Sequence, residues 1–247
     1  MKLIVESETG QRQADLYTEE GLALVNELWT LAGFHHRIMY EPVWLGIPII
    51  QYPGDIVMMQ ELIWKVRPEL IIETGVAHGG SAVLFASLLE LMGNGHVLAI
   101  DIEIRQHNRL AIESHPMAKR IELLQGSSLD KSVLGQAAEQ AQGKTCLVVL
   151  DSNHSYDHVL EEMRQYSRFV SPDSYLVVMD GVQRMLAQAP TGKPEWNTDN
   201  PLNAIETFLA ENAGKWEPDR RYERVGPTCS PMGFLRRVRE KHEVPTV

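Results

Sequence analysis

The sequence predicts an α/β protein built on a doubly wound, mostly parallel sheet, and three observations carry that prediction. Short apolar runs recur along the chain, helix-periodic segments separate them, and most of the runs end in an acidic residue. The runs are 69–73, 96–101, 120–124, 146–151 and 175–180. Several are continuously apolar rather than alternating, which suits strands covered on both faces. Strand, helix and strand in turn require right-handed crossovers and a parallel order.

The elements follow in order. Thr18 is suited to cap a helix over 18–31, with Glu19 and Glu20 in its first turn and Leu22, Val25, Leu28 and Trp29 on one face. The stretch 41–48 carries Pro42 and Pro48 and reads as loop. A helix is expected over 55–66, leading into the first sheet strand. Residues 1–64 therefore read as a helical and loop appendage, and 65–247 as the sheet domain. Leu84, Leu88 and Leu91 give 81–92 helical spacing, and 156–170 has the same character. The stretch 181–200, with Pro190, Gly192 and Pro194, is expected to be a long loop acting as a lid. A helix at 202–211 and an antiparallel terminal pair at 222–225 and 233–238 complete the chain.

Composition narrows the function. The 247 residues are 44% hydrophobic, and 33 acidic against 23 basic side chains give a net charge of −10. Such a surface repels phosphate backbones, so no nucleic-acid partner is expected. No apolar run approaches the roughly 20 residues of a bilayer span, and no membrane partner is expected. Cys146 and Cys229 form no metal-binding spacing, which fits a reduced, cytoplasmic protein. Trp29, Trp44 and Trp64 in the appendage are candidates for an interface between identical subunits.

Two segments carry chemistry. The first strand ends in Glu73-Thr74-Gly75-Val76-Ala77-His78-Gly79-Gly80-Ser81. Glycines there let the backbone turn sharply and let a cofactor approach its amides at a helix N-terminus. Gly75, Ala77 and Gly80 imitate a dinucleotide fingerprint, while Glu73, Gly75 and Gly79 imitate a nucleoside-binding turn of methyltransferases. Asp101, closing the second strand, suits ribose hydroxyls. The other segment is 151–158, beginning at the end of the fourth strand. Asp151 and Asp180 close neighbouring strands and suit a hard cation such as Mg²⁺, with His154 placed to take a proton. His154 and His158 lie four apart, which leaves open a two-histidine, one-carboxylate metal centre with Asp151. Acids at strand ends also cap helices, and that reading stays open as well.

At these residues the sequence resembles the cephalosporin hydroxylase family, whose relatives include rhamnosyl and macrolide-sugar O-methyltransferases. The resemblance rests on 73–81, 150–154 and 175–180. Upstream it takes in Trp44, Gly46, Gln51, Pro53, Asp55, Gln60 and Glu61, and downstream Asn200-Pro201 and 230–235. It implies a Rossmann-like, S-adenosylmethionine-dependent methyltransferase fold. Glu73, Gly75, Ala77, Gly79 and Ser81 would surround the cofactor, with Asp101 near its ribose and Ser127, Ser128 and Asp130 on the adenine side. Asp151 would also border the cofactor, Asp151 and Asp180 would hold Mg²⁺, and Asp151 and His154 would be catalytic. Macrolide-sugar relatives carry two consecutive acids after the fifth strand, whereas this chain has Met179 before Asp180. The expected activity is O-methylation of a sugar-like or polyhydroxylated small molecule. A cofactor-binding accessory subunit and a nicotinamide-dependent oxidoreductase are the competing readings.

Overall fold

The computed structural model describes residues 1–7 and 10–239, so the end of the expected sheet domain, 240–247, lies outside the described residues. In chain order the strands are β1 (Lys2–Ser7), β2 (Gly10–Asp15), β3 (Val43–Trp44), β4 (Ile47–Pro48), β5 (Leu70–Thr74), β6 (His96–Asp101), β7 (Ile121–Gln125), β8 (Cys146–Leu150), β9 (Tyr175–Val178), β10 (Trp216–Pro218) and β11 (Phe234–Arg237). The helices are α1 (Glu19–His35), α2 (Pro53–Val66), α3 (Gly80–Met92), α4 (Gln106–Glu113), α5 (Lys131–Ala141), α6 (Tyr156–Tyr166), α7 (Gln183–Leu186) and α8 (Pro201–Glu211).

The central sheet has seven strands in the order β10-β11-β9-β8-β5-β6-β7. β7, β6, β5, β8 and β9 are parallel, and β11 returns antiparallel against β9. The chain winds outward from β5 in both directions, so β5 and β8 flank the switch point where such sheets open a crevice. Every residue of β5, β8 and β9 is buried. Alternate side chains enter two different cores. Ile71, Val97, Leu147 and Val177 pack with Met59, Leu62 and Phe85 from α2 and α3. Leu70, Ile72, Val148 and Leu176 pack with Val133, Met163 and Phe208 from α5, α6 and α8. This is the expected three-layer architecture, and the unbroken apolar strands are its cause.

Helix starts follow local chemistry. The Thr18 hydroxyl accepts from the Gly21 amide at 3.1 Å, and Asn200 accepts from the Asn203 amide at 2.9 Å. Three expectations change. Lys2–Ser7 and Gly10–Asp15 pair as antiparallel strands rather than forming helix or loop. The terminal strand partner of β11 is Trp216–Pro218, not 222–225. Tyr222 instead lies in a 3₁₀ turn, with its ring 5.5 Å from that of Tyr175 and 5.4 Å from that of Phe234. The stretch 181–200 is not structureless, because it holds α7 and a 3₁₀ turn at Pro194–Asn197. Val182 and Leu186 bury themselves against Met39, Tyr52 and Cys229. Among the described residues no helix is long and apolar enough to cross a membrane, and both cysteines are free and buried.

Asp219 ties the antiparallel end of the sheet together. It accepts from the buried Tyr175 hydroxyl at 2.8 Å and from Arg221 Nε and Nη2 at 2.8 and 2.6 Å. The Arg221 bonds, above all, hold its carboxyl down at about 2. A carboxyl depressed on folding contributes stability above its unfolded value, and that stability is lost as pH falls through the folded value. Asp219→Asn should therefore cost about 1–2 kcal/mol near neutral pH, discounting the shift for the exposed guanidinium. Urea denaturation of the two proteins checks this, and the gap should narrow as pH falls from about 4 toward about 2.

Candidate active site

The turn after β5 is laid directly onto the end of β8. The Asp151 amide donates to the Thr74 carbonyl and the Gly75 amide to the Ile100 carbonyl, each at 2.8 Å. Gly75 has φ +94°, and a Cβ there would fall 2.0 Å from the Asp151 carbonyl oxygen. Only glycine permits that approach. Ala77 is also left-handed, at φ +45°, a local strain of the kind found where a turn is shaped for a ligand. Asp101 holds the turn, accepting from the Val76 amide at 2.8 Å and the Ala77 amide at 3.4 Å. Its other oxygen accepts from the Glu103 amide at 3.0 Å. A carboxylate with three such bonds still has accepting capacity for a ligand hydroxyl.

Glu73 lies behind this turn, wholly buried, with no hydrogen-bond partner on either carboxylate oxygen. Burial pushes its carboxyl up to about 8, reinforced by Asp151 and Asp101 and offset in part by the nearby Ser81 hydroxyl, which stands outside hydrogen-bonding geometry. A buried acid with both oxygens idle is costly. Its position beneath a glycine cradle fits a ligand that brings its own hydrogen-bond donors or positive charge.

The neighbouring strand tips carry the second half of the site. His154 lies between two carboxylates, with Nε2 3.5 Å from Asp151 Oδ1 and Nδ1 3.2 Å from Asp180 Oδ2. One ligand atom from each of the three residues falls within 4.8 Å of the others. Asp180 sits at φ +58°, a strained backbone that aims its carboxylate at the cluster. Burial pushes Asp151 above the ordinary carboxylate range and Asp180 adds repulsion, while His154 offsets both. For His154, burial opposes the charge, but Asp180 and Asp151 together outweigh it and favour the imidazolium. Two carboxylates around one imidazolium leave net negative charge, which suits a further cation.

Met179 does not face this cluster. It is 3% exposed, packs in the main core, and its sulfur accepts from the Ser230 hydroxyl at 3.2 Å. An acid there would be buried among apolar groups. The two-histidine reading is corrected as well. His158 Nε2 turns to Ser152 Oγ at 3.2 Å, Ser128 Oγ at 3.4 Å and the buried Glu162 at 3.4 Å, away from the His154 cluster.

One cleft of about 680 Å³ joins the two halves. Gly75, Ala77, Gly79, Ser81, Asp101, Ser127, Ser128, Asp151, His154 and Asp180 all line it. Asp130 is not among its lining residues; it occupies the N-cap position of α5 instead. Motif reading missed part of the cleft lining, Met39, Tyr40, Ile49 and Ile50 beside Gln51; Ile49 packs directly on the glycine turn, its Cα 2.7 Å from where a Cβ on Gly80 would fall. It also missed Ser152 and the Glu162 beneath it, joined at 2.8 Å. The spacing of His158 and Glu162 on one helical face was the available signal. No residue of 181–200 is among those lining the cleft; the stretch is tied to the start of α6, where Asp199 accepts from the Tyr156 amide at 2.6 Å.

Comparison with known proteins places these features in a family. The family model described as rhamnosyl O-methyltransferase/CmcI matches residues 36–238. A rhamnosyl O-methyltransferase of Mycobacterium tuberculosis (strain ATCC 25618 / H37Rv) is 32% identical over 214 residues, covering 82% of this chain and 80% of the relative. One from Mycobacterium leprae (strain TN) is 32% identical over 201 residues, covering 78% and 81%. Among solved structures, one of CmcI described with Mg and SAM has a TM-score of 0.57 at 20% identity, over 81% of this chain and 78% of that one. At that identity the likeness is one of fold.

Two measurements test the site's construction. Gly46 shares φ +94° with Gly75 but has open space around it, so Gly46→Ala should cost about 1 kcal/mol from backbone strain alone. Gly75→Ala should cost at least about 3 kcal/mol, because the Asp151 backbone must move. Equal losses in chemical denaturation would refute the close approach. Glu73 supplies the other test. A carboxyl raised on folding binds its proton more tightly in the native state, so its contribution falls as pH rises from the unfolded value toward the folded one. Glu73→Gln should therefore gain stability relative to the parent between about pH 5 and about pH 8. A constant difference across that range would contradict the assignment.

Proposed function

The chain belongs to the rhamnosyl O-methyltransferase/CmcI family, and from that premise we propose that it is an S-adenosylmethionine-dependent O-methyltransferase. Its acceptor is a hydroxyl of a sugar-like or polyhydroxylated small molecule, and Mg²⁺ assists. One observation carries the reading: a glycine cradle over an idle buried acid touches, through the Gly75–Asp151 contact, the strand end that bears the carboxylate and histidine cluster. A cofactor site and a cation site are thereby fixed at one distance from each other. The chain's expected cofactors both have residues that fit them.

When bound, S-adenosylmethionine supplies an electrophilic methyl group and Mg²⁺ lowers the pKa of a hydroxyl held beside it. The chain's own residues do the rest. Gly75 to Ser81 offer backbone amides and the N-terminus of α3, Glu73 offers a buried carboxyl, Asp101 accepts from the nucleoside, and Ser128 accepts or donates toward it. Asp151 and Asp180 supply the hard oxygen ligands that Mg²⁺ prefers. His154, seated between them, receives the hydroxyl proton. Its own proton is held by the two carboxylates, and balancing their charge frees it to act as base. Met39, Tyr40, Ile49 and Ile50 exclude water from the acceptor side. The 181–200 stretch, fastened to α6 by Asp199, serves as the lid. Holding two reactants in line is worth several kcal/mol of barrier, roughly 7–11 in ideal intramolecular cases. Self-assembly retains Trp64 as its candidate contact, since it is 51% exposed, whereas the Trp44 indole donates to Ser87 within the chain.

Asp151→Asn and Asp180→Asn should each lower methyl transfer at least about 100-fold, the loss expected when a transition-state electrostatic group is removed. Methyl-donor affinity, read by calorimetry, should stay within a few-fold. His154→Ala should lose turnover similarly, and chelation of divalent ions should abolish it. A His154→Ala protein with full activity would remove the base assignment. Binding of a nicotinamide dinucleotide in place of S-adenosylmethionine would remove the reading altogether.

A further inference from the structure

A second cavity, of about 1130 Å³, lies at the opposite end of the sheet from the cleft. It is bounded by the turns that lead into β5, β8 and β9, by the start of β10 and by the end of β11. Its charge is the reverse of the chain's. The chain carries a net −10, yet Lys65, Lys144, Arg168, Lys215, Arg237 and Arg239 line this recess, and Asp173 is the only carboxylate among the described residues lining it. Asp173 is engaged by Arg239, Arg237 donates to the Val170 carbonyl, and Lys65 donates to the Tyr175 hydroxyl at 3.2 Å. Lys144, Lys215 and Arg168 have no carboxylate partner among the described residues. Arg168 lies over the Phe169 ring, 4.9 Å from its centroid, and gathering like charges without carboxylate partners around a concavity raises the local potential.

A second, independent feature points the same way. Ser174, on the wall of this recess, is 1% exposed and its buried hydroxyl has no hydrogen-bond partner. Its backbone is already committed, its amide to the Ser171 carbonyl at 3.0 Å and its carbonyl to the Arg237 amide at 2.9 Å. The hydroxyl is left as a donor awaiting an acceptor, and such groups are rare in folded proteins.

We propose that this recess is a binding site for a small phosphorylated ligand. Lys144, Lys215 and Arg168 would supply the charge-assisted bonds that phosphoryl oxygens take, with Ser174 donating at the base. The recessed form favours a small molecule over a bilayer surface or a nucleic-acid backbone, which meet protruding rather than enclosed cations. The site is separate from the methyl-transfer cleft, and β5, β8 and β9 run between the two.

The test is a calorimetric titration of the full chain with inorganic pyrophosphate, alongside the double variant Lys144→Gln/Lys215→Gln and the single variant Ser174→Ala. The account expects saturable one-to-one binding. It should weaken at least about tenfold in the double variant, as loss of charge-assisted bonds dictates, and measurably in Ser174→Ala. S-adenosylmethionine affinity should be unchanged in both. No saturable binding, equal binding by all three proteins, or competition by S-adenosylmethionine would overturn the proposal. So would sulfate binding as tightly as pyrophosphate, since that would reduce the recess to a nonspecific anion sink.

Discussion

The contact between Gly75 and the backbone of Asp151 is the constraint on which the candidate site depends. Because β5 and β8 are neighbouring parallel strands, their ends meet at the switch point of the sheet. The absence of a side chain at Gly75 lets the two turns touch. One turn carries the amides, the buried Glu73 and the start of α3. The other carries Asp151 and His154, with Asp180 arriving from β9 next door. A rigid, fully buried pair of strands thus sets the spacing between two chemically different half-sites, and precision on that scale is what in-line group transfer demands.

Electrostatics gives each half-site its character. Beneath the glycine turn, an acid without partners is kept protonated by burial. At the strand tips, two carboxylates compete for one imidazole and raise its proton affinity. Both arrangements are costly in a protein without ligands. Both are relieved by positive charge, a sulfonium or ammonium in one case and a divalent cation in the other. The cost sits on strands buried in two cores, and those cores supply the stability that tolerates it.

Much of this was legible in the sequence, for identifiable reasons. The strands of the central sheet were visible because burial on both faces leaves unbroken apolar runs such as 146–150 and 175–178. Their terminal acids were visible because they interrupt those runs. Hidden elements were those whose structure is set by partners far away in the chain. Gly10–Asp15 has almost no apolar pattern and becomes a strand by pairing with β1. Trp216–Pro218 is three residues long and owes its place to register with β11, whereas the more strand-like Tyr222 is drawn into an aromatic stack. The cleft wall at Met39, Tyr40, Ile49 and Ile50 had no motif, because apolar lining is recognised only when the surface it faces is known. Met179 read as a missing ligand, but the side chain belongs to the core, and His154 stands nearer the two acids than spacing alone could tell.

The central claim is that one cleft holds a nucleoside sulfonium and a divalent cation side by side. Its most direct test is a crystal structure with S-adenosylhomocysteine and Mn²⁺, read by anomalous scattering. The account predicts a manganese peak in contact with Asp151 and Asp180, and a nucleoside seated on the Gly75–Gly79 turn with its ribose at Asp101. A manganese ion bound elsewhere, or a nucleoside displaced from that turn, would contradict it.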